Sequence, residues 1–249
     1  MILTKCTTFL YDALLTVIYP QPCLICGRSV ETSAAGVACE ECWSATRVFS
    51  AQEMLCWKCG SSSSGRVAEN KRTEVRCRRC DDLPFTAARA CGVYEHALRE
   101  TILNMKRQPK LPEKVLRLLT AIASCAPLAG STSIVPVPLH PERLKTRGFN
   151  QALVIARALS NKLSLPVNDV SLIRTLHVEK YRAGLDRRGR AETVAGAFAV
   201  VHPGLVNGEK LLLVDDVFTT GATVAACAEV LVGAGAERVS ILTIARTSG

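Results

Sequence analysis

The chain has 249 residues, enough for one large domain or two smaller ones with an ordinary hydrophobic core. Its formal net charge of +9 favours ligands that carry phosphate, or a nucleic acid, although a positive surplus also fits a solvated surface. No stretch approaches the roughly 20 apolar residues that span a bilayer. The short apolar segment at 6–19 is interrupted by Asp12. We therefore expect an amphipathic helix there and a cytoplasmic protein.

Eight of the twelve cysteines form four C-x-x-C units in the first third of the chain. They are Cys23, Cys26, Cys39, Cys42, Cys56, Cys59, Cys77 and Cys80. Twelve residues separate the first two units and seventeen separate the last two, a spacing that predicts two successive structural zinc sites. A disulfide framework is the competing interpretation, but it needs an oxidising compartment, and we see no export signal. A single zinc ion, or a second ribbon without metal, also stays open.

After the cysteines, the chain alternates between strand and helix patterns. Strands are predicted over 88–94, 133–137, 172–174, 210–214 and 238–245, and helices over 97–106, 113–124, 149–163 and 222–232. Such alternation implies an α/β fold with a doubly wound, mainly parallel sheet. We place a boundary near Pro84. Residues 1–84 then form the N-terminal helix and a double zinc ribbon, and residues 85–249 form the α/β domain.

A basic segment follows the strand predicted at 133–137. Arg143, Lys145 and Arg147 lie in what we predict to be a loop. In a doubly wound sheet, this loop reaches the same edge as the end of the strand at 210–214. Arginine suits a pyrophosphate group because its planar fork grips phosphate oxygens in pairs. The alternative is a solvated basic loop.

The strongest motif begins where the apolar strand at 210–214 ends. Asp215 and Asp216 come next, followed by Thr219, Thr220, Gly221, Ala222 and Thr223 at the start of a helix. Backbone N–H groups, hydroxyls and the positive end of a helix converge there, and such a site suits a phosphate. The two carboxylates repel phosphate, so they would address sugar hydroxyls or magnesium instead. A ribose 5-phosphate satisfies both halves of the motif.

This segment resembles the PRPP loop of type I phosphoribosyltransferases, where PRPP is phosphoribosyl pyrophosphate. Strand, acid pair and Thr-Gly-x-Thr come in the same order. No lysine follows the glycine as a P-loop requires, and G-x-G-x-x-G does not occur, which disfavours nucleoside triphosphates and dinucleotides. The competing interpretation is an ordinary strand-to-helix turn, because Thr and Asp are favoured at helix caps.

Nearly the whole chain is similar to the ComF family, on the strength of three further features. These are the four C-x-x-C units, Pro136-Val137-Pro138, and the run from Arg147 to Gln151 that precedes the acid pair. The resemblance implies a zinc-binding N-terminus joined to a phosphoribosyltransferase-type domain. Asp215 and Asp216 would hold ribose hydroxyls, and residues 219–223 the 5-phosphate.

The same resemblance assigns further residues. Arg143 and Arg147 would lie near pyrophosphate, with Lys106 and Arg107 as weaker candidates. Relatives commonly have an asparagine where this chain has Thr193, whereas Arg190 matches the family pattern.

Three functions are compatible with the sequence. The first is an enzyme that transfers phosphoribosyl from PRPP, with magnesium, to an unknown acceptor. The second is a nucleic-acid-handling protein that uses the zinc ribbons and the basic surface. The third is a sensor of PRPP or a nucleotide. The resemblance links the family to DNA uptake in competent bacteria, and it implies single-stranded DNA and competence proteins as partners.

Overall fold

A computed structural model describes residues 21–50, 53–63, 69–175 and 196–248. The predicted helix at 6–19 and the segment with Arg190 and Thr193 lie outside these residues. The described strands are β1 (Ala87–Val93), β2 (Ser133–Pro136), β3 (Leu172–Arg174), β4 (Phe198–Val200), β5 (Lys210–Phe218) and β6 (Arg238–Arg246). The described helices are α1 (Glu40–Ser44), α2 (His96–Met105), α3 (Glu113–Ala123), α4 (Pro141–Arg147), α5 (Gln151–Leu163) and α6 (Ala222–Gly233).

Four of the strands form a parallel sheet in the order β1-β6-β5-β2. The central strands β5 and β6 alternate between two cores, because successive side chains of a strand point to opposite faces. Leu212, Val214, Leu242 and Ile244 face one core, and Leu211, Leu213, Val239 and Ile241 face the other. Helices α2, α3 and α5 cover the first face, and α6 covers the second. Helices on both faces confirm the predicted doubly wound parallel sheet.

The strand predicted at 172–174 forms, but it does not join the parallel sheet. β3 pairs antiparallel with β4, with Leu172 opposite Val200 and Arg174 opposite Phe198. Leu172 and Phe198 are buried in the core beneath α6. The sequence did not predict β4, because Phe198, Ala199 and Val200 are all apolar and show no alternation that would mark a half-buried strand. The placement of 172–174 within the parallel series was therefore wrong.

The basic segment after β2 is a helix, so the predicted loop was also wrong. Pro141 occupies the first turn of α4, where its missing N–H needs no partner. The side chain of His140 accepts a hydrogen bond from the N–H of Glu142, and Gly148 ends the helix with a φ of 81°. Only glycine adopts this conformation readily. None of the residues of this helix is buried, which left no apolar periodicity to detect.

Strand β5 is longer than predicted. It extends through Phe218, so Asp215 and Asp216 lie inside the strand rather than after it. β6 runs alongside as far as Arg246, pairing Asp215 with Thr243 and Phe218 with Arg246. The neighbouring strand keeps the backbone of the acid pair extended, because parallel pairing continues on that side.

The cysteine-rich segment packs directly on the sheet. Trp43 of α1 is buried, and its indole N–H donates to the carbonyl of Ala35 at 3.0 Å. Cys23, Cys39 and Trp43 share a core with residues of α2 and α3. The boundary near Pro84 stays a prediction. Among the described residues, no helix combines the length and apolarity needed to cross a membrane.

Candidate functional site

The acid pair is half-buried near the carboxyl end of β5. The N–H of Asp216 donates to Oδ1 of Asp215 at 2.8 Å, which fixes the orientation of that carboxylate. Nζ of Lys106, at the end of α2, lies 4.0 Å from Oδ2 of Asp216. Lys106 was predicted to contact pyrophosphate, and the structure places it beside the acid pair.

Asp215 sits in an environment that disfavours its charge. Burial raises the pKa of Asp215 well above its ordinary range, and the charge of Asp216 adds to the shift. The N–H of Asp216 and the positive charges of Lys106 and Arg174 oppose it. A cationic group bound beside the pair would gain from this concentration of negative charge. A raised pKa of this kind is typical of functional sites.

The loop 219–223 turns the chain from β5 into α6. Gly221 caps the helix with a φ of 82°, in the left-handed region that favours glycine. A Cβ at this position would come 2.7 Å from the ring of Phe218, so the loop lies directly on that ring. Thr219 is exposed, and the hydroxyl of Thr220 accepts a bond from the N–H of Ala222 at 3.4 Å. An accessible loop at the start of a helix fits an anion.

A cavity lies beside helix α4. Pro136 of β2 pairs with Val214 of β5, so α4 begins from the strand next to the acid pair. The cavity has a volume of about 640 Å³, and it is lined by Leu144 of α4, by Gly148 after that helix and by Arg174. Arg174 lines this cavity, and its positive charge opposes the rise in the pKa of Asp215.

The three cations of α4 occupy different environments. Arg143 and Lys145 are exposed. Arg147 is half-buried and donates to Oε1 of Gln151. In the part of the chain that the structure describes, the ion pair to the acid pair comes from Lys106 and from none of these three.

Sequence reasoning missed Arg174, which ends β3 and lines the cavity. Its guanidinium lies 5.3 Å from the centre of the Phe198 ring on β4. The available signal was a cation at the end of a predicted strand. That signal was not enough, because the pairing with β4 that sets the position of Arg174 was not predicted.

The eight cysteines form two tetrads, as predicted. The sulfur atoms of Cys23, Cys26, Cys39 and Cys42 all lie within 4.8 Å of one another, and so do those of Cys56, Cys59, Cys77 and Cys80. The distances between Cys26 and Cys39 and between Cys59 and Cys77 are 3.6 and 3.4 Å. Zinc–sulfur bonds of about 2.3 Å in a tetrahedron require sulfur atoms about 3.8 Å apart. Both tetrads therefore fit a zinc ion.

Each tetrad has at least one thiol whose pKa is lowered. Burial raises the pKa of Cys23, but bonds from backbone N–H groups, chiefly that of Cys39, outweigh it and hold the pKa at about 6. In the second tetrad, burial raises the pKa of Cys56, but bonds from the N–H groups of Cys59 and Cys77 outweigh this effect and leave the pKa at about 7. Ionised thiols are the form that binds zinc.

Comparison with known proteins accounts for both halves of the chain. Residues 14–93 match the double zinc ribbon domain. DNA utilization protein YhgH of Escherichia coli K12 is 30% identical over 236 residues, covering 92% of this chain and 98% of that protein. Competence protein ComFC of Bacillus subtilis is 24% identical over 248 residues, covering 90% and 95%. The chain belongs to the ComF family. A further ComF-family relative, competence protein F of Haemophilus influenzae, is 33% identical over 115 residues, 46% of this chain and 50% of that protein.

Two solved structures show a low overall similarity to this ComF-family chain. A glutamine PRPP amidotransferase from Bacillus subtilis, complexed with ADP and GMP, has a TM-score of 0.35 and 17% identity, and the alignment covers 53% of this chain and 28% of that one. An adenine phosphoribosyltransferase from Thermoanaerobacter pseudethanolicus has a TM-score of 0.32 and 13% identity, with 53% and 77% covered.

Proposed function

We propose that this protein binds PRPP, or a ribose 5-phosphate group, with magnesium and transfers the phosphoribosyl group to an acceptor. The observation that carries the proposal is the half-buried acid pair Asp215 and Asp216 beside the glycine-capped loop 219–223. The N–H groups of the loop and the positive end of α6 can bind the 5-phosphate, and the two carboxylates can accept hydrogen bonds from the ribose hydroxyls.

The pyrophosphate of PRPP would lie toward α4, where Arg143, Lys145 and Arg147 supply positive charge. Lys106 would balance the charge of the acid pair, because it lies 4.0 Å from Asp216. Magnesium in proteins is commonly held by one or two carboxylates together with substrate phosphates, and it would neutralise charge on the leaving pyrophosphate. The cavity beside Arg174 offers room for an acceptor.

In the proposed reaction, the bond from ribose C1 to pyrophosphate breaks and its electron pair leaves with pyrophosphate. A lone pair of the acceptor then forms the new bond to C1, and the acceptor loses a proton to solvent. Positive charge develops on the sugar between these events. Asp215 and Asp216 would stabilise that charge, and the cations of α4 would stabilise the negative charge on the leaving group.

Replacing both carboxylates tests this assignment. We expect Asp215→Asn/Asp216→Asn to lower magnesium-dependent pyrophosphate release by about 100- to 1,000-fold, because it removes negative charge that stabilises the developing cation. Ribose 5-phosphate binding should survive in part, since the loop 219–223 is untouched. The measurement is pyrophosphate release from PRPP across a panel of bases and nucleic-acid ends, with calorimetry for binding.

Glu237→Gln is the matched control for the double variant, because Glu237 pairs with Lys210 at the opposite end of β5. It should leave turnover unchanged. If the wild-type protein binds PRPP without releasing pyrophosphate, the protein is a sensor and not a transferase. If the wild-type protein does not bind PRPP, the site assignment itself fails.

A second candidate function is the handling of single-stranded DNA. It is favoured by the formal charge of +9 and by relatives named for DNA utilization and competence. In this function, zinc ribbons and basic surface would engage the strand, with or without turnover at the acid pair.

A further inference from the structure

Arg246, the last residue of β6, touches two parts of the molecule that are remote in sequence. Its Nη1 donates to the carbonyl oxygen of Cys59 at 2.6 Å. Its guanidinium carbon also lies 5.2 Å from the centre of the Phe218 ring, within the range of a cation–π contact. Cys59 belongs to the second cysteine tetrad, and Phe218 ends β5 immediately before the loop 219–223.

The Phe218 ring forms the floor of that loop. A Cβ added to Gly221 would come within 2.7 Å of the ring, so no atom separates the ring from the glycine. The ring also packs edge-to-face on Phe85, with the ring centres 6.2 Å apart, and the backbone carbonyl of Phe218 accepts a bond from the N–H of Thr247. Arg246 adds the contact that reaches the second ribbon.

The second ribbon also lies close to Arg246 and to strand β1. A Cβ at Gly60, directly after Cys59, would come 2.5 Å from the carbonyl of Ala88 and 3.5 Å from Nη1 of Arg246. Four thiolates around one zinc ion carry a net negative charge, which attracts a guanidinium. The carbonyl that Arg246 holds belongs to a zinc ligand, so its position depends on whether the tetrad is closed around metal.

We propose that Arg246 is a positioning residue that couples the zinc-filled second ribbon to the loop 219–223. The coupling rests on the proposed function, since it assigns a purpose to the order of a phosphate-binding loop. With zinc bound, the Cys59 carbonyl fixes Arg246, Arg246 fixes the Phe218 ring, and the ring supports Gly221. Loss of zinc releases the carbonyl and removes that support. The second zinc ion thereby controls how well the loop is formed for a phosphate.

Arg89 provides a matched control. It also holds the second ribbon, because its Nη1 donates to the carbonyl of Trp57 at 3.0 Å and its guanidinium lies 5.3 Å from the Trp57 ring centre. It belongs to β1, at the edge of the sheet, where β6 separates it from β5. Replacing Arg89 should loosen the attachment of the ribbon without acting on Phe218.

The test is amide hydrogen exchange of a peptide that covers 219–223, measured on the full chain without ligand. We expect Arg246→Met to speed exchange there by about fivefold or more, the lower end of typical coupling between sites. Zinc content should remain two ions per chain. Cys77→Ser, which opens the second tetrad, should give the same increase, and Cys26→Ser in the first tetrad should not. Arg89→Met should lower the melting temperature but leave loop exchange as in the wild type.

Two results would overturn the coupling. One is unchanged loop exchange in Arg246→Met with both zinc ions bound, and the other is an equal increase in Arg89→Met. Because exchange needs no ligand, the result stands whether or not PRPP binds. A separate titration with ribose 5-phosphate tests the proposed function. Failure of the wild type to bind it would refute that function alone, whereas weaker binding confined to Arg246→Met and Cys77→Ser would support both.

Discussion

At the scale of single residues, the charge of Asp215 that the proposed function uses lowers the stability of the folded state at neutral pH. Its carboxylate is half-buried inside β5, next to a second carboxylate. The raised pKa means that the folded state holds a proton more tightly than the unfolded state, where the value is about 3.9. The preference of the folded state for a protonated Asp215 therefore contributes fully to the free energy of unfolding below about pH 3.9. This contribution is lost as the pH rises through the folded-state pKa.

We expect Asp215→Asn to raise the melting temperature at pH 7 by roughly 2–4 °C. The gain should disappear as the pH falls toward 4, because the wild-type carboxyl is then protonated and neutral like the amide. Thermal unfolding of both proteins from pH 4 to pH 8 measures this difference. Glu229→Gln, at an exposed position of α6, controls for the loss of one negative charge. A wild type more stable than the variant at pH 7 would contradict the electrostatic reasoning.

Short contiguous motifs were enough to predict part of the candidate site. The acid pair, the threonines and Gly221 are contiguous, so their proximity needs no knowledge of the fold. The cysteines were equally clear, because zinc ligands follow a fixed spacing. Lys106 entered only through the family resemblance. Arg174 was missed, because its place in the wall of the cavity depends on tertiary packing that no local pattern encodes.

At the scale of elements, α4 offers a direct test of ligand orientation. Arg147, near its C-terminal end, is half-buried and bonded to Gln151, so its guanidinium is better ordered than those of the exposed cations of α4. We expect Arg147→Ala to weaken PRPP binding by about tenfold, as loss of one charged hydrogen bond would. Ribose 5-phosphate, which lacks pyrophosphate, should lose much less. Calorimetry with both ligands and magnesium gives the two ratios.

Lys162→Ala is the control for Arg147→Ala, because Lys162 is an exposed cation on α5 that pairs with Glu113 at 3.3 Å. It should leave both affinities unchanged. Equal losses for PRPP and ribose 5-phosphate in Arg147→Ala would place the guanidinium away from the pyrophosphate.

The longer elements and the short strands β2 and β3 could be predicted, but α1, α4 and β4 were not predicted. β1, α2, α3, α5, β6 and α6 carry enough apolar residues at regular spacing to be recognised. α4 has seven residues, none of them buried, so only its Pro141 and Gly148 mark its ends. The extension of β5 past Val214 depends on pairing with β6, which the sequence of β5 alone does not contain.

At the scale of the whole molecule, the positive charge separates the candidate functions. If the net charge of +9 forms a strand-binding surface, affinity for single-stranded DNA should fall steeply as salt rises, because each neutralised phosphate releases a counterion. Fluorescence anisotropy of a labelled oligonucleotide at 50 and at 200 mM salt measures this, and a loss of about 1,000-fold or more indicates six or more phosphate contacts. An absence of binding even at low salt would exclude the DNA function and leave the transferase untouched.

One feature of the sheet bears on whether the α/β domain can exist alone. β1 is an edge strand, and the segment between the two ribbons lies along its open side. Val48 pairs with Gly92, the N–H of Phe49 donates to Cys91, and a Cβ at Gly92 would come 2.2 Å from the carbonyl of Arg47. A fragment beginning at Pro84 would keep every strand of the sheet but expose this edge, and bare edges pair with other chains. The segment between the two ribbons therefore protects the edge of β1 from pairing with other chains. A fragment cut at the predicted boundary near Pro84 would be prone to aggregate.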